Sequence, residues 1–392
     1  MKMRAIGKMA IVGIVVVVVI IAAAGYVLTI TPSAPVKQMA VVFDVGGRGD
    51  LSFNDMAYLG AERAKKDFGV NVTYVQSRVG ADYLPNLRNL ASTGKYSLIV
   101  AIGFLLTDAL NQTAQEFPNQ KFAIIDGYLP GMANVRSILF SEQDGSALVG
   151  LLAGLVTKTN KVGVVLGMDI PILYKFESGY YYGISLAENL TGKNIQIFYK
   201  YTGTFTDVAT GKQVTDGFLT QGVDVVYNVA GLTGKGMLDA VADWGTANGK
   251  TMGPPYGIGV DSDQDWIHPG FVLASMMKRV DVGVYTAMRD ANAGNFTGNV
   301  YVLGLGDGGN KLSDASDLGT FMDVAVSQGV TLPMSADQTK SVYNQMRNQI
   351  DASVWAKIAD LQQKIASKQV VIPIPSTPAE IQAIRAQYGV TG

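Results

Sequence analysis

The sequence predicts an α/β protein of two doubly wound, Rossmann-like lobes with a ligand cleft between them, preceded by an N-terminal transmembrane or signal helix. Three observations carry this. From residue 38 onward, short apolar runs alternate with longer amphipathic ones; the alternation restarts near residue 142; and the apolar runs end in Asp, Asn or Gly. Strands that are apolar throughout must be covered on both faces, which a parallel sheet between two helix layers achieves.

The N-terminal segment comes first. Lys2, Arg4 and Lys8 precede residues 9–30, an uncharged run rich in Val, Ile and Ala. At about 1.5 Å per residue this run matches a hydrocarbon core of about 30 Å, and it exceeds the roughly 7–15 residues of a secretory h-region. A retained anchor is therefore favoured over cleavage, with the cationic flank inside and the bulk of the chain outside. The small residues at 22–24 and Ala34 keep cleavage open. Residues 31–35, Thr-Pro-Ser-Ala-Pro, serve as a short linker.

In the first lobe, residues 40–43, 72–75, 98–102 and 122–125 read as strands, and 54–68, 83–91 and 107–116 have helical spacing. The second lobe opens with a helix rich in small residues at 142–156. It continues with strand 161–166, helix 176–189, strand 194–198, helix 207–221, strand 223–228, helix 234–247 and strand 256–260. Residues 271–275, with a helix from 276, are expected to return to the first sheet. Residues 354–367 form an amphipathic helix before 370–373 and a Pro-containing tail. The expected division is 1–35 as anchor and linker, 36–141 with 270–320 as the N-terminal lobe, and 142–269 with 321–392 as the C-terminal lobe.

Composition narrows the chemistry. The 392 residues carry 31 Lys and Arg against 32 Asp and Glu, a net charge of −1, so no excess of cations exists to neutralise nucleic-acid phosphates. With no Cys and one His, thiolate zinc sites, iron–sulfur clusters, thiol nucleophiles and multi-histidine metal sites are excluded by inventory. No cofactor is expected. His268, in Asp265-Trp-Ile-His268-Pro-Gly270, reads as a turn residue rather than a triad member. Sequons at Asn71, Asn111, Asn189 and Asn295 are compatible with an external location.

In open α/β sheets, ligands lie beyond the carboxyl ends of the strands. Asp44 to Asn54, Gly103, Asp126, 167–176, Gly231 and Asp261 all fall at such ends. Phe53 and Phe176 sit at strand-to-helix junctions, one per lobe, where two rings facing across a cleft would sandwich a planar base; their alternative is ordinary core. Asp44, Asp126 and Asp261 end strands and, as acceptors, suit hydroxyls and N–H groups while repelling phosphate, which points to a nucleoside rather than a nucleotide. Lys278 is expected at the start of a helix re-entering the first lobe; a solvated surface lysine is the default there, and an inward-pointing one paired with Asp261 would hold a ribose. The residues Gly304-Leu-Gly306-Asp-Gly-Gly309 match a dinucleotide fingerprint by letter, but the apolar helix start that gives it meaning is missing, so a glycine-rich hairpin or bulge is expected. Arg48-Gly-Asp50 carries no weight.

The stretches FDVGGRGDLSFNDMAYLG, KFAIIDG, KFESGYYYGI, YNVAGLTGKG, GIGVDSDQ and ASMMKRVDVGVY occur in that order. Together they resemble the basic membrane protein family of ABC-transporter substrate-binding proteins, which includes purine nucleoside receptor lipoproteins. The resemblance runs from about residue 38 to the C-terminal helix and implies a type I periplasmic-binding-protein fold. It implies Phe53 and Phe176 as base-stacking rings, Asn54 and Asp126 as base contacts, Asp44, Asp261 and Lys278 as ribose or adjacent polar contacts, and Gly231 as a backbone contact. It further implies a monomer that delivers a nucleoside to permease subunits driven by a cytoplasmic ATPase, at the extracellular side of the cell membrane. Three departures stand out. The lipobox cysteine is absent, which suggests an archaeal-type membrane segment; Leu232 replaces a common glycine; and Tyr180, Tyr181 and Tyr182 form an aromatic helix start bearing on ligand size. The rivals are a nucleoside hydrolase using the acids of the 44–50 loop and a ligand-sensing receptor.

Overall fold

Strand β1 (Gln38–Phe43) shows why the first sheet is sandwiched. Met39, Val41 and Phe43 enter one apolar cluster and Ala40 and Val42 another, because successive side chains point to opposite faces. Residues 36–390 are described by a computed structural model. The expected membrane segment at 9–30 lies outside them, and among the described residues no helix is long and apolar enough to cross a membrane.

The chain continues through α1 (Phe53–Phe68), β2 (Asn71–Gln76), α2 (Tyr83–Ser92), β3 (Tyr96–Ile102), α3 (Thr107–Glu116), β4 (Phe122–Ile125) and β5 (Val135–Phe140). It crosses into α4 (Glu142–Val156), β6 (Lys161–Leu166), α5 (Pro171–Thr191), β7 (Gln196–Tyr201), α6 (Val208–Thr220), β8 (Val225–Val229), α7 (Thr233–Ala247), β9 (Tyr256–Val260) and β10 (Val272–Lys278). Next come α8 (Val280–Ala293), β11 (Val300–Leu303) and β12 (Asn310–Leu312), and then α9 (Leu318–Ser327), α10 (Ala336–Asn348), α11 (Ala352–Ala366) and α12 (Pro378–Gln387).

Both sheets have six strands and equivalent orders, β2-β1-β3-β4-β5-β11 and β7-β6-β8-β9-β10-β12. Every pairing is parallel except β12 against β10. The expected fold of two doubly wound lobes, of the periplasmic-binding-protein type, is the observed one.

Several expectations need correction. Residues 271–275 do not return to the first sheet: β10 pairs with β9, runs on to Lys278, and the helix begins only at Val280. Lys278 therefore ends a strand of the second sheet. Of the expected 270–320 segment, β10 and β12 belong to the second sheet, while β11 joins the first and Gly60 of α1 lies so close to α8 that a Cβ there would be 2.4 Å from the Asp281 carbonyl oxygen. Local patterning defines a strand but not its partner, and strand pairing is a non-local choice. The Gly304–Gly309 stretch is no hairpin, since β11 and β12 lie in different sheets and a short 3-10 turn, Leu305–Asp307, links them. The tail after 373 contains α12, entered through a Thr377–Glu380 capping box with Pro378 in the first turn.

Helices α4 and α5 approach with almost no side chain between them. A Cβ on Gly179 would lie 2.1 Å from the Gln143 oxygen, and one on Gly150 2.2 Å from the Tyr180 oxygen. This explains the small-residue composition of 142–156. It also places Tyr180 and Tyr181 mid-helix and fully buried, with Tyr180 donating to the Gly163 oxygen (3.1 Å) and Tyr181 to Glu177 (2.8 Å). They are core, not a ligand-facing helix start.

Candidate ligand-binding cleft

Each sheet has a switch point, where the strand order reverses around β1 and β3 in the first lobe and β6 and β8 in the second. The loops after these strands face one another around a cleft of about 690 Å³ counted out to open solvent. All eight residues singled out in the sequence, Asp44, Phe53, Asn54, Asp126, Phe176, Gly231, Asp261 and Lys278, line it.

The loop after β1 is shaped by hydrogen bonds to its own acids. Asp50, buried, accepts from the backbone N–H groups of Ser52, Asn54 and Asp55 and from the Asn54 amide (3.0 Å). Asn54 in turn accepts from the Asp44 N–H (3.1 Å), so its orientation is fixed from both ends. Asp44 Oδ1 accepts from the Tyr83 hydroxyl and the Val45 N–H, while Oδ2 has no hydrogen bond among the described residues. Gly103, at φ 114°, lies so close that a Cβ would sit 2.6 Å from Asp44 Oδ2; only glycine serves there.

Asp126 and Asp261 occupy corresponding places after β4 and β9, and both hold left-handed backbone, φ 67° and 64°. Non-glycine residues enter that region at some cost, Asp and Asn most readily, and such strain collects at functional sites. The bend turns each carboxylate into the cleft. Ser52 of the first lobe donates to Asp261 Oδ2 (2.7 Å), and Ser262 and Gln264 of the second donate to the Leu51 oxygen (2.6 and 3.0 Å), so these loops are joined across the lobes.

Lys278 stands at the cleft floor, 2% exposed, with Nζ 2.6 Å from Asp126 Oδ2 and 2.9 Å from Glu142 Oε1. The expected pairing with Asp261 is replaced by these two, because Lys278 ends a strand and points across the lobe crossover. Glu142 Oε2 also pairs with Lys175 (2.8 Å). The Lys278 ammonium lies 5.3 Å from the ring centre of Phe53, 5.2 Å from Phe140 and 5.8 Å from Phe176, within cation–π range of all three. Phe53 is half-buried and Phe176 almost wholly buried. The neighbouring Arg279 turns to Asp281 (2.7 Å). Leu173, Phe205 and Leu232 add apolar wall. Gly231, at φ 54°, is a glycine for its backbone conformation; a Cβ there would meet Phe205 only at ordinary contact distance.

Sequence reasoning missed Glu142 and Tyr83. Glu142 reads as an acid in a helix's first turn, and nothing local reveals that the turn lies at a crossover beneath the cleft. Tyr83 is far in sequence from Asp44.

Burial works to lower Lys278, but attraction to Asp126, Glu142 and Asp261 raises it above an ordinary lysine. Glu142 is held below the usual carboxylate range, since Lys175 and Lys278 together outweigh its burial. Asp126 is pushed up to about 6 by burial, against the opposing pull of Lys278, whose charge it shares with Glu142. One of its oxygens, Oδ1, is buried with no hydrogen-bond partner among the described residues. Asp50 is pushed up to about 7 by burial and then by the charge of Asp55. The native state thus holds protons on Asp126 and Asp50 that the unfolded chain releases near its ordinary value of about 3.9. More protons bound in the folded state means stability is lost as pH rises between about 4 and 7. The melting temperature of the unliganded protein is expected to be higher at pH 5.5 than at pH 7.5, by calorimetry. A rise across the same interval would contradict the assignment.

The sequence model of the Bmp family, described as ABC transporter substrate-binding protein, PnrA-like, matches residues 37–368. An "uncharacterized lipoprotein" of Pyrococcus furiosus is 41% identical over 352 residues, 88% of each chain. The "ABC transporter nucleoside-binding protein BmpA" of Lactococcus lactis is 31% identical over 301 residues, covering 71% of this chain and 84% of that one. Among solved structures, an ABC transporter solute-binding protein from Aeropyrum pernix superposes with a TM-score of 0.84 at 37% identity, covering 90% of this chain and 97% of its own. Sequence, fold and relatives agree: the chain belongs to the Bmp family of PnrA-like ABC-transporter substrate-binding proteins.

Proposed function

We propose that this substrate-binding protein takes nucleosides, purine nucleosides foremost, in the interlobe cleft and passes them intact to its permease. The observation that carries the reading is the pairing at the cleft floor of two phenylalanines, one from each lobe, with the unpartnered Oδ1 of Asp126. A flat base between Phe53 and Phe176 gains offset stacking of roughly 0.5–1.5 kcal/mol per ring beyond its buried area. A base N–H supplies the donor that Asp126 lacks, with Asn54 beside it. Asp44, Asp261 and Lys278 face the ribose, and the Gly231 backbone lies alongside. A phosphate is disfavoured, because four aspartates, Asp44, Asp50, Asp126 and Asp261, border the cleft and the charge of Lys278 is already engaged by Asp126 and Glu142.

An ABC substrate-binding protein works with permease and ATPase subunits. Ligand bridging of the two lobes favours the closed arrangement, and the closed surface is what the permease reads. The N-terminal segment tethers the protein to the outer side of the membrane in this reading. The lipoprotein named in Pyrococcus and the nucleoside-binding name of the Lactococcus relative support it.

Calorimetric titration of residues 36–392 with adenosine, guanosine, inosine, uridine and a hexose tests the proposal, with chromatography for free base afterwards. The expected result is one-to-one binding of a nucleoside recovered intact, with affinity near the micromolar range of about −8 kcal/mol. Free base would instead make it a hydrolase. Binding of the hexose alone would remove the nucleoside reading.

A further inference from the structure

The family match ends at residue 368, yet the chain beyond it is built into the second lobe. Ile372, Ile381, Ile384 and Val390 are buried there, and so is Arg385. Its guanidinium makes a two-pronged ion pair with Glu177, Nε to Oε1 at 3.1 Å and Nη2 to Oε2 at 2.8 Å. Glu177 is fully buried and also accepts from the hydroxyls of Tyr181 (2.8 Å) and Tyr201 (2.9 Å). Pro373 contributes a second tie, accepting from Ser178 Oγ at 2.7 Å. Arg385 also lies over the rings of Tyr199 and Tyr201, 4.4 and 5.6 Å from their centres.

These ties fall on one short stretch of α5. Glu177 and Ser178 directly follow Phe176, whose ring borders the cleft. Downstream, the glycine contacts with α4 fix the axis of α5 at Gly179 and Gly183. Upstream, the first turns carry Ile172, Leu173 and Phe176 into the cleft and are held on one side by Lys175 against Glu142 and the Phe140 oxygen. Arg385 holds the other side. A planar guanidinium gripping both carboxylate oxygens fixes orientation as well as distance, which a single charge contact does not.

We infer that the C-terminal segment 369–390 is part of the binding apparatus, with Arg385 a positioning residue that sets Phe176 through Glu177. The inference rests on the reading of the cleft as a nucleoside site, but its structural half is independent of the ligand.

The test uses the full chain with adenosine as probe, in Arg385→Met, Arg385→Lys and the double variant Glu177→Gln/Arg385→Met, which leaves no orphaned charge if Arg385→Met alone fails to fold. Positions that act on a site without touching the ligand shift affinity by about two- to thirtyfold. The expected result is about a tenfold loss in Arg385→Met or the double variant, partial recovery in Arg385→Lys, and disappearance of the loss in a Phe176→Leu background. Affinity within twofold of the parent in both, or an equal loss in the Phe176→Leu background, would overturn it. If the parent chain ignores adenosine, whichever of guanosine, inosine and uridine it binds replaces adenosine as probe; if it binds none of the four, the nucleoside reading fails, and amide exchange in the unliganded protein decides the remainder. Exchange accelerated at residues 171–178 beyond the rest of the second lobe supports the positioning role, and unchanged exchange there sinks it.

Discussion

Replacing Lys278 by Met is expected to lower unfolding stability by about 3–5 kcal/mol and to weaken nucleoside binding at least a hundredfold. The first effect follows from burial. Lys278 is 2% exposed and Asp126 and Glu142 are 5% and 0% exposed at their side chains, so removing the ammonium leaves two carboxylates out of water. Glu142 retains Lys175, whereas Asp126 Oδ2 loses the Lys278 ammonium, the one hydrogen-bond donor it has among the described residues. Adding Asp126→Asn should therefore restore part of the stability without restoring binding. Urea denaturation of the parent and the two variants measures the first claim and titration the second. A loss below about 1 kcal/mol for Lys278→Met would mean that the buried pair is not formed as described.

Phe53→Ala separates binding from folding more cleanly. Phe53 is half-buried at the start of α1, so its truncation should cost about 1 kcal/mol of stability or less. As a central aromatic anchor of the cleft it should carry 2 kcal/mol or more of binding, about thirtyfold in affinity. Phe176 is almost wholly buried, and its removal mixes a cavity cost of about 3–5 kcal/mol with any loss of stacking. Phe176→Leu, which keeps most of the buried apolar volume while removing the ring, is the better partner for comparison. A Phe53→Ala protein that binds within threefold of the parent would remove the ring from the site. Adenosine and a ribose-only ligand, titrated in parallel, separate stacking from hydroxyl recognition, since only the former should respond.

The cleft floor also bears on closure. Lys278 closes a strand of the second sheet, Asp126 a strand of the first, and Glu142 opens the helix after the first crossover. One ammonium thus joins the two lobes and the connection between them, immediately beside the rings proposed to hold the base. A ligand donor reaching Asp126 Oδ1 would complete a carboxylate whose other oxygen already anchors the crossover.

The parts of the molecule that sequence determined by itself are those set within a few residues. Continuous apolar strands ending in Asp, Asn or Gly announced parallel sheets and the edge on which a ligand would lie, and side-chain alternation in residues 39–43 required cover on both faces. All eight candidate residues reached one cleft because each lies at the carboxyl end of a strand, in the loop after it or in the first turns of the helix that follows, positions that topology sends to the same edge whatever the partners. What tertiary structure decided were the choices of partner. Residues 272–278 have the same apolar pattern whichever sheet receives them, so the place of β10, and with it the turn of Lys278 toward Asp126 and Glu142 instead of Asp261, depended on pairing across the whole chain. Tyr180 and Tyr181 are aromatic in either reading, and only the close approach of α4 to α5 through Gly150, Gly179 and Gly183 buries them. Arg385 and Glu177 meet across 208 positions of sequence, a distance over which local patterning carries no information about contact. Hydrophobic periodicity encodes which face is covered; the energy of a buried charge depends on which opposite charge arrives beside it, and that is settled only when the fold closes.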